Sequence, residues 1–258
     1  MRILLTNDDG IDSPGINLLA DGLRKAGHRV VAVAPEANQS GVSHSITFFK
    51  RPCKLVEIDK DTWSCGGTPV DCVVVALMGV PELFTLPHSP PDIIISGINQ
   101  GANLGTDILY SGTAAAARQG AFCHIPSAAV SLIAGDEWNW DMAVGFTVEY
   151  LDRIMAYWKP DTFINVNIPN RREKPLALVH AFPSFRYYND RIEVYHAPDG
   201  YRYCFINAGE ITARVEQGSD YKAVAGNNAS LSEVFIHPLL LDSVKEREGG
   251  YSDGKSDR

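Results

Sequence analysis

No apolar run in these 258 residues approaches the length needed to cross a membrane. Basic residues are also scarce, 23 Lys and Arg against 31 Asp and Glu, for a net charge of −8. That deficit argues against duplex nucleic acid and anionic membrane as partners, since both demand a basic face. It leaves a small anionic substrate open, because local backbone amides and a bound cation can hold a phosphate on an acidic protein. Cysteine is sparse and badly placed for pairing: Cys53, Cys65, Cys72, Cys123 and Cys204 are odd in number, widely spaced and contain no Cys-x-x-Cys pair. A disulfide framework and a zinc–thiolate site are thereby disfavoured, and reduced thiols are expected. The apolar stretch near the N-terminus, Arg2–Thr6, is too short for a signal-peptide core, so a cytoplasmic protein is expected. No internal repeat is present.

Hydrophobic residues make up 45% and charged residues 21%, enough to bury one substantial core. Arg2 to Thr6 reads as a buried parallel strand that Asn7-Asp8-Asp9-Gly10 breaks. Ser13-Pro14 predicts a helix start; Ile16, Leu19, Ala20 and Leu23 recur at helical spacing, and Gly27 closes the helix. Arg29 to Ala34 is the next strand, completing a β-α-β unit with parallel strands. Thr68-Pro69-Val70-Asp71 predicts a capped helix running to about Gly79. A strand is expected over 92–96, a helix over 111–120 with four consecutive alanines, a strand over 127–132, a helix over 141–158 and a strand over 163–168. Such alternation points to an α/β fold, a Rossmann-like, doubly wound, mostly parallel sheet.

The character changes after about residue 175. Residues 186–207 are rich in Tyr and β-branched residues, with Ala197-Pro198-Asp199-Gly200 as the turn between two expected strands. An exposed aromatic hairpin of this kind suits an oligomer contact. The expected organisation is one α/β domain over 1–242 that includes a hairpin extension at about 184–237. A polar, disordered tail is expected over 243–258.

In open α/β sheets ligands bind beyond the carboxyl ends of the strands, and four polar clusters fall there. Asn7-Asp8-Asp9-Gly10 offers two adjacent carboxylates, which suit a hard cation such as Mg²⁺ or Mn²⁺ and equally suit a solvated acidic turn before a helix. The segment 38–45, Asn-Gln-Ser-Gly-Val-Ser-His-Ser, offers hydroxyls, amides and a glycine for close approach to an anion; taken alone it is a polar loop. The segment 96–105 carries three glycines and two asparagines, the composition of a loop built for unusual backbone angles, and Asn99 could supply a neutral oxygen ligand. Tyr110-Ser111-Gly112-Thr113 opens a helix, offering free N–H groups and two hydroxyls to a phosphate, or else an ordinary Ser cap. Asp107 serves as well to fix this loop as to touch substrate. Asp71 needs no catalytic role, because its place in a first helical turn accounts for it.

With the four clusters in view, the chain resembles the SurE (survival protein E) family of 5′/3′-nucleotidases. The resemblance is carried by residues 1–10 (Met-Arg-Ile-Leu-Leu-Thr-Asn-Asp-Asp-Gly) and 34–41 (Ala-Pro-Glu-Ala-Asn-Gln-Ser-Gly). It continues in 67–72 (Gly-Thr-Pro-Val-Asp-Cys), 96–105 and 110–113. It implies that Asp8, Asp9, Ser40 and Asn99 hold one divalent cation, Mg²⁺ or Mn²⁺. It also implies that Asn99, Ser111, Gly112 and Thr113 line the phosphate with Gly41 close by. The implied activity is metal-dependent hydrolysis of nucleoside monophosphates, extending in the family to 3′-nucleotides and short polyphosphate. The implied assembly is a homodimer or homotetramer built through a C-terminal extension. The chain departs from the family pattern at Gln119, where Glu is usual, at Gly218-Ser219-Asp220 in place of Gly-Thr-Asp, and at Tyr203-Cys204-Phe205 in place of a Tyr-Trp pair.

On this basis the catalytic candidates are Asp8, Asp9 and Asn99, with Asp8 ahead of Asp9 as base or nucleophile. Two alternatives stand beside the phosphomonoesterase. Residues 18–35 resemble the first crossover of nucleotide-sugar glycosyltransferases, and a non-catalytic nucleotide-binding module would keep the same loops.

Overall fold

The computed structural model describes residues 1–49, 51–79 and 90–238. The expected tail at 243–258 lies outside the described residues. The first half runs β1 (Arg2–Thr6), α1 (Pro14–Lys25), β2 (Arg29–Pro35), β3 (Leu55–Asp59), β4 (Thr62–Cys65) and α2 (Pro69–Val74), which passes into a π-helical turn at Val75–Gly79. Then come β5 (Ile93–Gln100), a 3₁₀ turn at Gly105–Leu109, α3 (Gly112–Phe122), β6 (Ser127–Leu132), α4 (Trp140–Ala156) and β7 (Thr162–Ile168). The remainder is β8 (Leu178–His180), β9 (Arg186–Tyr188), β10 (Arg191–His196), β11 (Arg202–Asn207), β12 (Ile211–Ala213), α5 (Asp220–Ala225) and β13 (Ala229–Phe235).

Nine strands form one sheet in the order β3-β4-β2-β1-β5-β6-β7-β13-β8. Strands β2, β1, β5, β6 and β7 are parallel, and β3 and β13 run against their neighbours β4 and β7. This is the expected Rossmann-like, mostly parallel α/β sheet. β1 alternates its side chains between two cores: Ile3 and Leu5 pack with Ile16, Leu19 and Phe146 under α1 and α4, while Leu4 packs with Val31, Ile94 and Ala116 under α2 and α3. That two-sided burial explains why the central strands read as continuous apolar runs. The alanines Ala114 to Ala117 are all buried, so α3 can sit close to the sheet on small side chains.

Two expectations change. The segment after Ser96 is not a loop: β5 continues to Gln100, pairing Asn99 with Ser131 of β6 after a register shift between Ser96 and Asn99. The Gly97–Ile98 peptide within it is cis. Ser13 holds the N-cap position of α1 but makes no side-chain cap bond; its Oγ instead accepts from Asn7 Nδ2 at 2.7 Å. Within the expected extension, β10 and β11 pair antiparallel apart from the main sheet, β9 pairs with β12, and β13 returns to the main sheet between β7 and β8.

Candidate active site

From β1 the chain goes to β2 on one side, while β5 lies on the other, so the strand order reverses between β1 and β5. A crevice at the carboxyl ends of such strands is where open α/β sheets bind ligands. Here β1 ends at Thr6 opposite Ser96, and β5 runs four residues farther, to Gln100. Asp8 and Asp9 therefore leave β1 beside the protruding end of β5, and Gln100 N donates to Asp9 Oδ2 at 2.9 Å.

The acidic turn is rigid. Asn7, fully buried, donates from Nδ2 to the Gly10 carbonyl at 2.9 Å and accepts from Gly10 N at 3.2 Å. Gly10 has φ +101° and lies under Ala37, where an added Cβ would sit 3.2 Å from the Ala37 carbonyl carbon; this φ favours glycine. The loop after β2 is tied to the same turn by Gln39 N donating to the Asp8 carbonyl at 2.7 Å. Asn38 Oδ1 accepts from Ser40 N at 2.9 Å, and Ser43 bonds the Tyr110 and Leu109 carbonyls at 2.9 and 2.7 Å.

Asp8 is only 3% exposed. The Thr113 hydroxyl donates to its Oδ1, and Gly112 passes so close that a Cβ there would lie 2.8 Å from Asp8 Cβ. Burial pushes the Asp8 carboxyl up to about 6, against the Thr113 hydrogen bond that favours its charge, and the neighbouring Asp9 charge adds to the rise. Burial raises Asp9 too, opposed by the Gln100 amide. Asn99 spends its Nδ2 on the Gly101 carbonyl at 2.9 Å, so Oδ1 is the atom left to act as a ligand.

Asp8, Ser40, Gly41, Asn99 and Ser111 line one cavity of about 600 Å³. Asp9, Gly112 and Thr113 do not line this cavity, but each contacts a residue that does: Asp9 accepts from Gln100 N, Gly112 packs on Asp8, and the Thr113 hydroxyl donates to Asp8. Ser111 caps α3 by accepting from Ala114 N at 3.0 Å, which leaves the N–H groups of Gly112 and Thr113 without intrahelical partners. The donor set is all oxygen. Among the described residues no group of three His, Cys, Asp or Glu side chains is arranged to hold a metal; any cation here relies on neutral oxygens beside the two carboxylates.

The same cavity is also lined by Asn103, Asp107 and Tyr110, from the two clusters and the loop between them, and by Tyr188, Asp190 and Ala208, which the sequence did not single out as site residues. Asp107 accepts from Tyr188 Oη, Arg186 and Leu104 N, so it fastens β9 to the 3₁₀ turn. Burial raises the Asp107 carboxyl despite these donors, and burial together with Asp107 raises the Tyr188 phenol. Asn103 is buried and held through Asn165, Asn167 and Ser131. The sequence signal for that network was Asn165 and Asn167 alternating inside an otherwise apolar strand. Asp71 accepts from the Thr68 and Thr47 amides and lines no part of the cavity. His44 bonds Gln119 at 3.1 Å outside it.

A family model described as "Survival protein SurE" matches residues 3–188. The chain is 47% identical to a protein of Stenotrophomonas maltophilia named "5'-nucleotidase SurE", over 98% of this chain and 97% of the relative. It is 37% identical to the protein of that name from Xanthomonas axonopodis, over 97% and 96%. Among solved structures it is similar to the SurE protein of Aquifex aeolicus, with a TM-score of 0.79 and 37% identity, covering 96% of this chain and 100% of the other.

Proposed function

The chain belongs to the survival protein SurE family, and from that premise we propose that it is a divalent-metal-dependent 5′-nucleotidase, a phosphomonoesterase that converts nucleoside monophosphates to nucleoside and phosphate. The observation that carries this reading is the meeting of the β1 and β5 ends, the Ser40–Gly41 loop and Ser111, the N-cap of α3, around one cavity. 3′-Nucleotides and short polyphosphate belong to the same proposal, since they present the same terminal phosphoryl group.

Asp8, Asp9, Ser40 and Asn99 would hold Mg²⁺ or Mn²⁺. The residues fit such an ion: the donors are all oxygen, and two adjacent carboxylates with raised affinity for protons are costly to ionise without a cation. When bound, the ion supplies Lewis-acid stabilisation of charge on the phosphoryl group. The positive end of α3 would face phosphoryl oxygens through Ser111, which lines the cavity, with the Gly112 and Thr113 amides in the turn that follows it. Thr113 orients Asp8, the carboxylate that faces the cavity and the group we assign as base or nucleophile.

The test is phosphate release from 5′-AMP, 3′-AMP and polyphosphate with Mg²⁺, Mn²⁺ or EDTA. Activity that needs the metal, and is lost by at least about a hundredfold in Asp8→Asn with unchanged circular dichroism, supports the proposal. Full activity in EDTA, or in Asp8→Asn, refutes it.

A further inference from the structure

The cavity that Ser111 borders is also lined by two tyrosines, Tyr110 and Tyr188. Among the described residues that line it there is no lysine, arginine or histidine, so no side-chain cation is at hand to grip the part of a substrate that lies beyond its phosphoryl group. The aromatic surface is what remains for that task. Tyr110 immediately precedes Ser111, which places its side chain one residue from the hydroxyl assigned to the phosphoryl end. It is 57% exposed although it borders the cavity. Its ring meets that of Tyr188 edge to face, with centroids 5.9 Å apart and planes at 87°. Such a contact uses an edge of one ring and one face of the other, so Tyr110 keeps at least one face free. Tyr188 is a firm support: its hydroxyl donates to Asp107, which also accepts from Arg186 and from Leu104 N. The backbone of Tyr110 is fixed independently of the ring, since its N–H donates to the Asp107 carbonyl at 3.0 Å and its carbonyl accepts from Ser43 N at 2.9 Å.

We propose that Tyr110, buttressed by Tyr188, is the platform on which the nucleobase stacks, and that it makes the site select nucleotides over sugar phosphates. This deepens the phosphomonoesterase reading above and rests on its placing of the phosphoryl group at Ser111. Stacking needs an open π face and tolerates any base, because every base has one. The discrimination is therefore between a phosphate ester that carries a base and one that does not, with purines, which offer the larger surface, ahead of pyrimidines.

Two measurements on the full chain test this. In the first, kcat/KM with Mn²⁺ is compared for 5′-AMP and ribose 5-phosphate, which differ by the base. The wild type should favour 5′-AMP by about tenfold or more. Tyr110→Ala should bring the ratio close to one, chiefly through KM for 5′-AMP, and Tyr110→Phe should keep it, since stacking does not use the hydroxyl. A ratio, unlike a rate, is not moved by a general loosening of the loop. No preference in the wild type, an equal loss on both substrates in Tyr110→Ala, or a Tyr110→Phe variant as indifferent as Tyr110→Ala would each overturn the proposal. In the second, adenosine is titrated calorimetrically in EDTA, where neither metal nor turnover is involved. Wild type and Tyr110→Phe should bind it alike, and Tyr110→Ala about tenfold more weakly; equal binding by all three would remove the platform. Failure of the phosphatase reading would abolish phosphate release from both esters and leave the adenosine titration intact, whereas failure of the platform would leave phosphate release without a preference for the base.

Discussion

Asp8 shows how one residue couples stability to chemistry. Its carboxyl is raised from 3.8 to about 6 by burial. The unfolded chain ionises this group near its ordinary value, whereas the folded metal-free protein keeps the proton until about pH 6. Folding stability from this group is therefore lost as pH rises from about 4 and is fully lost above about 6, a cost of roughly 3 kcal/mol. A bound cation would offset that cost only where Asp8 is ionised. Mn²⁺ should thus raise the melting temperature more at pH 7.5 than at pH 5. Without metal at pH 7.5, Asp8→Asn should melt above the wild type and gain little from Mn²⁺; equal metal-induced shifts at both pH values would contradict this. Gly112 makes a second prediction at the same scale. A Cβ there would come within 2.8 Å of Asp8 Cβ and 3.1 Å of Pro69 Cγ, neither of them the end of a flexible chain. Gly112→Ala should displace Asp8 and lower kcat/KM by about tenfold or more, while Gly145→Ala, with open space around it, should be silent in the same assay. The acidic pair and Ser111 were legible because polar residues at strand and helix ends follow local rules; the Thr113–Asp8 bond was not, because it joins residues 105 apart.

At the scale of elements, legibility followed how local the cause was. The α2 cap could be read from Thr68-Pro69-Val70-Asp71, and both arms of the capping box are formed. Asp71 also accepts from Thr47 N at 3.1 Å, so it fastens the segment after the Ser40–Gly41 loop. Asp71→Ala should destabilise the protein by about 2–4 kcal/mol in urea unfolding, since it leaves buried amides unpaired. The same variant should keep kcat within about threefold, because Asp71 borders no part of the cavity; a collapse of kcat without loss of stability would return Asp71 to the chemistry. The full length of β5 could not be read. Gly97 and Gly101 look like loop residues, and what makes the segment a strand is its shifted pairing with β6, Ser96 opposite Ala129 and then Asn99 opposite Ser131. The β3–β4 pair escaped for another reason: β3 is mostly exposed, so Val56 and Ile58 carry no buried apolar run to mark it.

Over the whole molecule, the strand order was implied by β-α-β alternation only as far as β7. The insertion of β13 between β7 and β8 is a long-range pairing that no local pattern announces. The hairpin was legible, and its environment yields the last prediction. Every residue of β10 and β11 is exposed, including Ile192, Tyr195, Phe205 and Ile206 at 55% or more. An isolated two-stranded hairpin is at best marginally stable in water, and here both faces are apolar and exposed, Ile192 and Ile206 on one and Tyr195 and Phe205 on the other; exposed apolar surface of this kind ordinarily marks an interface. We expect a second copy of the chain to cover it, giving a homodimer or a tetramer built from dimers. Sedimentation equilibrium at micromolar concentration should report at least two chains. Ile192→Glu combined with Ile206→Glu, a directly opposed pair, should place two like charges across the hairpin and shift the assembly toward single chains. The hairpin touches the first cavity only at its base, where Asp190 precedes β10 and Ala208 follows β11. Dissociation should therefore affect KM for the nucleotide more than kcat. A wild type that sediments as one chain at all concentrations would remove the hairpin from assembly altogether.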